Sequence, residues 1–100
     1  MNPRVFLDVD PRELRVPRSR QSGADPYKLQ QQIARFGGSE HGMPPIEVSR
    51  GIDGRLVINN GVTRATRIAR LARGRTVRVE VIDDLPLAVG SFRSIGDLVP

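Results

Sequence analysis

An α+β fold, with a small mixed β-sheet packed by two helices, is predicted by the order of short elements in the sequence. Two segments have the apolar spacing of helices, and several others have the short alternating runs of strands. Turn residues separate these elements, and the chain contains neither a repeat nor a linker. Its 100 residues suit one domain, which we predict to span 1–100 with a closing tail at 84–100.

The first half of the chain begins with two extended segments, 5–9 and 12–16, each followed by a turn. A helix over 26–36 comes next, because Asp25 can cap the first turn and proline fits the first helical position. Gly37 ends it, since glycine readily adopts the left-handed conformation at a helix C-terminus. The apolar positions of this helix recur on one face, at Leu29, Ile33 and Phe36.

The second half predicts a hairpin of strands 46–50 and 55–58, then a second helix, which Asn60 can cap and which ends near Ala72. A strand over 76–82 has the clearest alternation in the chain, and the tail is expected to be irregular or partly helical. Most of the core is expected to come from these residues: Leu29, Ile33, Phe36, Ile46, Val48, Val57, Ile68, Leu71, Val77, Val79 and Val81.

Charge is the most informative property of the composition. The net charge is +5, which points to nucleotides, nucleic acid or an acidic protein as partner classes. The absence of cysteine excludes disulfides and thiolate catalysis, and a single histidine makes a histidine-rich metal site or a Ser-His-Asp triad improbable. No metal site is predicted. No apolar run of membrane-spanning length and no signal peptide is seen, so we expect a cytoplasmic protein without a membrane partner.

The second predicted helix has a basic face. Arg64, Arg67, Arg70 and Arg73 follow one another at intervals of three residues. Such a pattern is typical of a solvated face, but four like charges in one row also suit anionic partners. At the start of the helix, free N–H groups and the positive end of the dipole form an anion site. The residues predicted to bind phosphate there are Asn60, Gly61, Thr63, Arg64 and Arg67.

An ordered set of segments resembles the N-terminal domain of ParB, a member of the ParB/sulfiredoxin superfamily. The set comprises Pro45-Ile46-Glu47-Val48, a turn at Gly54, Leu56 to Gly61, Arg64 with its alanine-rich helix, and Val77 to Val81. The resemblance covers about residues 9–83. It implies a bacterial domain whose strand–glycine–helix junction, between Gly61 and Arg64, holds nucleotide phosphates. A nucleoside triphosphate with Mg²⁺ is then the candidate cofactor, and Arg18 and Arg20 lie in a loop near the site.

Three functions stay open at this point. The first is a phosphate-binding module for a nucleotide or nucleic acid, with Arg70 and Arg73 as further nucleic-acid contacts. The second is a ParB-like nuclease or nucleotide hydrolase, a toxin-like effector included. Val62 stands where the family often has an acidic residue or histidine, so Glu40, His41 or Glu80 would have to supply the catalysis. The third is a protein-interaction domain that no longer binds a ligand. The sequence leaves the oligomeric state undetermined.

Overall fold

The computed structural model describes residues 3–99 and has an α+β architecture, as predicted. Its helices and strands are β1 (Val5–Val9), α1 (Pro26–Phe36), β2 (Ile46–Arg50), β3 (Leu56–Asn60), α2 (Val62–Leu71), β4 (Val77–Asp84) and α3 (Ile95–Leu98). Two 3₁₀ turns, Pro11–Glu13 and Arg18–Arg20, precede α1. The strands form one mixed sheet in the order β1-β4-β2-β3.

The register of the sheet places polar residues of three strands side by side. Strand β2 runs parallel to β4 and antiparallel to β3, and β1 is antiparallel to β4. Glu47 therefore lies between Asn60 of β3 and Glu80 of β4. This row is close to the point where β3 leads into α2, and it forms one wall of the groove described below.

The core lies between the sheet, α2 and the C-terminal segment. Apolar residues of β2, β3 and β4 pack against α2. Most of the predicted core residues are buried: Leu29, Ile46, Val48, Val57, Ile68, Val77 and Val79. The tail adds Val89, Ile95 and Val99, which were not predicted. Its short helix α3 begins with a capping box, in which Ser94 and Asp97 satisfy each other's backbone N–H groups.

The extended segment predicted at 12–16 is wrong in its first half. Asp10 caps a 3₁₀ turn by accepting a hydrogen bond from the N–H of Arg12, and Pro11 occupies its first position. Only Arg15 pairs with the sheet: its N–H donates to Leu56, and its carbonyl accepts from Ile58. A segment that contributes one bridging residue to a sheet edge cannot be distinguished from a true strand by its sequence pattern, because the pattern is too short.

Four predicted core positions are less buried than expected. Phe36 is 37% exposed and Leu71 is 45% exposed, while Ile33 and Val81 are partly buried. Phe36 and Leu71 end their helices, where helical periodicity predicts a face but not whether another element covers it.

No helix within residues 3–99 has the length and apolarity needed to cross a membrane.

Candidate functional site

An open groove lies where α1, the start of α2 and the sheet meet. Its volume is about 760 Å³. The predicted junction residues Asn60, Gly61, Thr63 and Arg64 line it, together with Arg20 from the predicted loop. The groove also contains residues that were not predicted as binding or catalytic residues: Arg4, Lys28, Gln32, Phe36, Met43, Pro44, Pro45, Glu47 and Val62.

The α2 helix begins at this groove without a side-chain cap. Gly61 is the N-cap residue, with a φ of 118°, and no side chain bonds to the first turn. Asn60 therefore does not cap the helix, contrary to expectation. A Cβ at Gly61 would lie 3.1 Å from Ile46 Cγ1, so both the backbone angle and the packing require glycine here. The positive end of the helix dipole faces the groove, and the first turn of α2 contains no acidic residue to neutralise it.

Arg64 lies at the groove with its side chain only 12% exposed. Its Nη1 donates to the carbonyl of Pro44, and its Nε lies 4.0 Å from Glu40 Oε1. Burial lowers the pKa of Arg64, while Glu40 opposes that shift. The guanidinium is still charged at neutral pH, but it already has partners in the protein.

Arg67 does not belong to a solvent-facing basic row. Its side chain is fully buried, and its Nη1 donates to the carbonyls of Gly37 (2.7 Å) and Ser39 (2.8 Å). Its Nε donates to Gln32 Oε1, and its guanidinium carbon lies 5.5 Å from the centroid of the Phe36 ring. The predicted phosphate contact at Arg67 is therefore wrong. The chain between α1 and β2 covers this side of α2, which the amphipathic pattern could not indicate.

The other predicted arginines are spread over different surfaces. Arg70 is exposed on α2 and Arg73 in the turn that follows, and neither lines the groove. Arg18 lies over the ring of Phe92, with 5.0 Å between its guanidinium carbon and the ring centroid, beside a smaller cleft. Arg20 alone of this group lines the groove, as do Lys28 of α1 and Arg64 of α2.

The three candidate catalytic residues are not brought together. Glu80 lines the groove, but Arg4 donates to both of its carboxylate oxygens, at 2.9 and 3.0 Å. These hydrogen bonds lower the pKa of Glu80, which makes it a weak base. Glu40 lies beside Arg64. The next residue, His41, is exposed, and both belong to the connection between α1 and β2. Within residues 3–99, no group of three or more histidine or acidic side chains could hold a metal ion.

The groove residues that were not predicted are brought to the site by tertiary packing. Lys28 and Gln32 are one turn apart on α1, and i,i+4 spacing alone could have placed them on a shared face. What the sequence could not indicate is that this face meets the start of α2. The same holds for Glu47, which only strand register brings opposite Glu80.

Comparison of the chain with models of protein families, with curated proteins and with solved structures found no match.

Proposed function

We propose that this chain is a phosphate-binding module of ParB-like type that takes a nucleotide in the groove at the β3–Gly61–α2 junction. One observation carries the proposal: besides Arg4, which is paired with Glu80, three cationic side chains from three separate elements line the groove at which the uncapped end of α2 lies. They are Arg20 of the second 3₁₀ turn, Lys28 of α1 and Arg64 of α2.

The first support for this proposal is electrostatic. A helix N-terminus and nearby guanidinium or ammonium groups each favour an anion, and here they share one groove. The groove also contains Glu47 and Glu80, but the charge of Glu80 is paired with that of Arg4. Arg20, Lys28 and Arg64 are the cationic lining residues that remain besides this pair. A phosphate bound there accepts the hydrogen bond that Arg64 Nη1 otherwise donates to the carbonyl of Pro44.

Size and shape favour a nucleotide over a nucleic-acid duplex. The volume of about 760 Å³ falls within the range of roughly 300–1,000 Å³ typical of small-molecule sites. An apolar wall of Phe36, Met43, Pro44 and Pro45 gives a base a surface to pack on. A duplex needs a continuous basic stripe, but Arg67 is buried, and Arg70 and Arg73 lie outside the groove.

Family resemblance enters the proposal through three local features. Helix α1 ends at Gly37, strand β2 follows two prolines, and β3 leads through Gly61 into an alanine-containing helix. These are the features on which the likeness to ParB rests. They support a shared mode of phosphate binding, with Gly61 and Arg64 at the two ends of the junction.

The residues of the groove favour nucleotide binding without catalysis. Val62, at the position where the family often has an acid or histidine, is 6% exposed and part of the hydrophobic core. Glu80 is held by Arg4, and the chain offers no metal cluster within residues 3–99. Mg²⁺ enters the proposal only as the counter-ion of the nucleotide phosphates.

Calorimetry tests the proposal. The parent is titrated with each of the four nucleoside triphosphates, with and without Mg²⁺, and then with a short DNA duplex. Lys28→Ala and Arg20→Ala should each weaken nucleotide binding about tenfold or more, since a charge-assisted contact is worth roughly 1.5–3 kcal/mol. Arg70→Ala is the matched control, an exposed arginine of α2 outside the groove, and it should bind like the parent.

Three outcomes would contradict the proposal. Absence of binding by any nucleotide would favour an interaction domain. Release of nucleoside diphosphate or cleaved DNA would favour the nuclease or hydrolase. Duplex binding that Arg70→Ala and Arg73→Ala weaken, while Lys28→Ala leaves it unchanged, would place a nucleic-acid site on the surface outside the groove.

A further inference from the structure

Strand β1 is an open edge of the sheet. It pairs with β4 on one side only. The opposite edge differs, because Arg15 and then Ser94 continue the pairing beyond β3. Within residues 3–99, no strand or bridge pairs with the outer side of β1. An edge strand presents unpaired backbone N–H and carbonyl groups, which form a template for another strand.

The side chains along this edge have a self-complementary order. Side chains alternate between the two faces of a strand, so Arg4 (just before β1), Phe6 and Asp8 share one face. Along the chain, that face carries a positive, an aromatic and a negative side chain. Phe6 is 37% exposed, and Leu7 on the other face is also 37% exposed. When such a row meets a copy of itself running in the opposite direction, each charge faces the opposite charge, and the aromatic rings face each other.

We propose that β1 pairs two copies of this chain antiparallel, in a register centred on Phe6. Arg4 of each copy then faces Asp8 of the other, and the two Phe6 side chains meet on the two-fold axis. On the other face, Val5 lies opposite Leu7 of the second copy. The two four-stranded sheets become one continuous sheet.

Neighbouring ion pairs within the chain do not block this pairing. Arg4 bonds Glu80 and Asp8 lies 3.5 Å from Arg78, and three of these four side chains are more than half exposed. The hydrogen bonds to Glu80 use Nε and Nη2 of Arg4, so its Nη1 can reach Asp8 of the second copy while Glu80 stays held. The exposed Arg78–Asp8 pair contributes little. Contact through one five-residue strand is small beside the roughly 1,600 Å² of a typical stable interface, so we expect a weak dimer that forms only at high protein concentration.

A register centred on Leu7 is the nearest competitor. It would set Phe6 against Asp8 of the second copy, an apolar ring against a carboxylate, and would bring Arg4 to Asp10. Since Asp10 already caps the first 3₁₀ turn, its carboxylate is committed. The side-chain chemistry therefore favours the register centred on Phe6.

Sedimentation velocity with charge variants tests the pairing. The mass of the parent should rise from one chain towards two as concentration approaches about 1 mM. Asp8→Arg and Arg4→Asp should each remain at one-chain mass, because like charges then face each other. An equimolar mixture of the two variants should dimerise again, since one edge is then wholly basic and the other wholly acidic. Circular dichroism confirms that each variant is folded.

The absence of cysteine allows a direct test of the register. Phe6→Cys places one thiol on the proposed two-fold axis, so mild oxidation should yield a disulfide-linked dimer, because cross-strand neighbours are close enough for this bond. Ile52→Cys is the control, 73% exposed in the β2–β3 turn, and should cross-link much more slowly. A parent that remains at one-chain mass, a mixture that fails to dimerise, or equal cross-linking of both thiols would each overturn the proposal.

Discussion

The connection between α1 and β2, residues 37–45, and the C-terminal segment, residues 85–99, are both largely irregular, yet they are attached to the molecule in different ways. None of residues 37–45 is buried, whereas the C-terminal segment buries Val89, Ile95 and Val99 in or beside the core. The connection is instead fastened by arginine side chains that donate to its backbone carbonyls. The C-terminal segment is thus part of the core, whereas hydrogen bonds from arginine side chains tie the connection to the rest of the molecule.

Three arginines make the attachment of the connection. Arg64 donates to Pro44, Arg67 to Gly37 and Ser39, and Arg75 to Gly38. The same connection supplies part of the wall of the candidate groove. A ligand that competes for Arg64 therefore acts on the connection as well, whereas the C-terminal segment is anchored independently of the groove.

Replacing Arg67 with methionine should have the largest effect on stability. The change removes the fully buried guanidinium that donates to the partly buried carbonyls of Gly37 and Ser39, and each lost hydrogen bond from a charged group costs about 1.5–3 kcal/mol. We expect a loss of about 3 kcal/mol or more in the free energy of unfolding, measured by urea denaturation. Arg70→Ala, an exposed change on the same helix, should alter it by at most about 0.5 kcal/mol. Equal effects of the two changes would contradict the attachment by Arg67.

Ile95→Ala should weaken the C-terminal segment through its apolar anchor. Ile95 is fully buried, and truncation of such a residue to alanine costs about 2–4 kcal/mol. Hydrogen exchange should quicken in residues 85–99 and stay unchanged in residues 37–45. Faster exchange in both segments would show that they are coupled.

Asp53 makes the stability of the C-terminal segment depend on pH. Desolvation raises the pKa of Asp53, but hydrogen bonds from the N–H groups of Gly90, Val89 and Arg55 outweigh it and lower the pKa below its usual 3.8. A lowered pKa gives stability that is present above the unfolded pKa and lost as pH falls through the folded one. Parent and Asp53→Asn should therefore differ in melting temperature at pH 7 and converge as the pH falls through the lowered pKa of Asp53. A constant difference would contradict this role.

Arg64→Ala should have the smallest effect on the fold. The lost hydrogen bond to Pro44 is partly exposed and is worth about 1 kcal/mol. The same change should weaken nucleotide binding by about tenfold or more, so stability and affinity respond in different proportions. Thermal melting and calorimetry on one sample measure both. A variant that loses stability as severely as Arg67→Met would make Arg64 a purely structural residue.

Local sequence patterns were enough to predict most helices and strands. The features that were missed depend on tertiary contacts. Helix α1 was predicted with its observed bounds because Asp25, Pro26 and Gly37 mark its ends. Arg67 was misplaced because nothing in α2 itself indicates that a neighbouring connection covers its polar face. Lys28 was missed at the groove because its role depends on how α1 packs beside α2. The tail residues were missed because Val89 and Val99 lie on irregular backbone and Ile95 begins a helix of only four residues, so no periodicity marks them.

An NMR titration of the ¹⁵N-labelled chain with a nucleoside triphosphate tests the proposed site most directly. We expect the largest amide shifts at Gly61, Val62, Thr63 and Arg64, because a phosphate bound at the start of α2 accepts hydrogen bonds from these N–H groups. Smaller shifts are expected at Lys28, and none at Arg70. Shifts confined to Arg70, Arg73 and Arg18, or no shifts at saturating ligand, would contradict a nucleotide site at this junction.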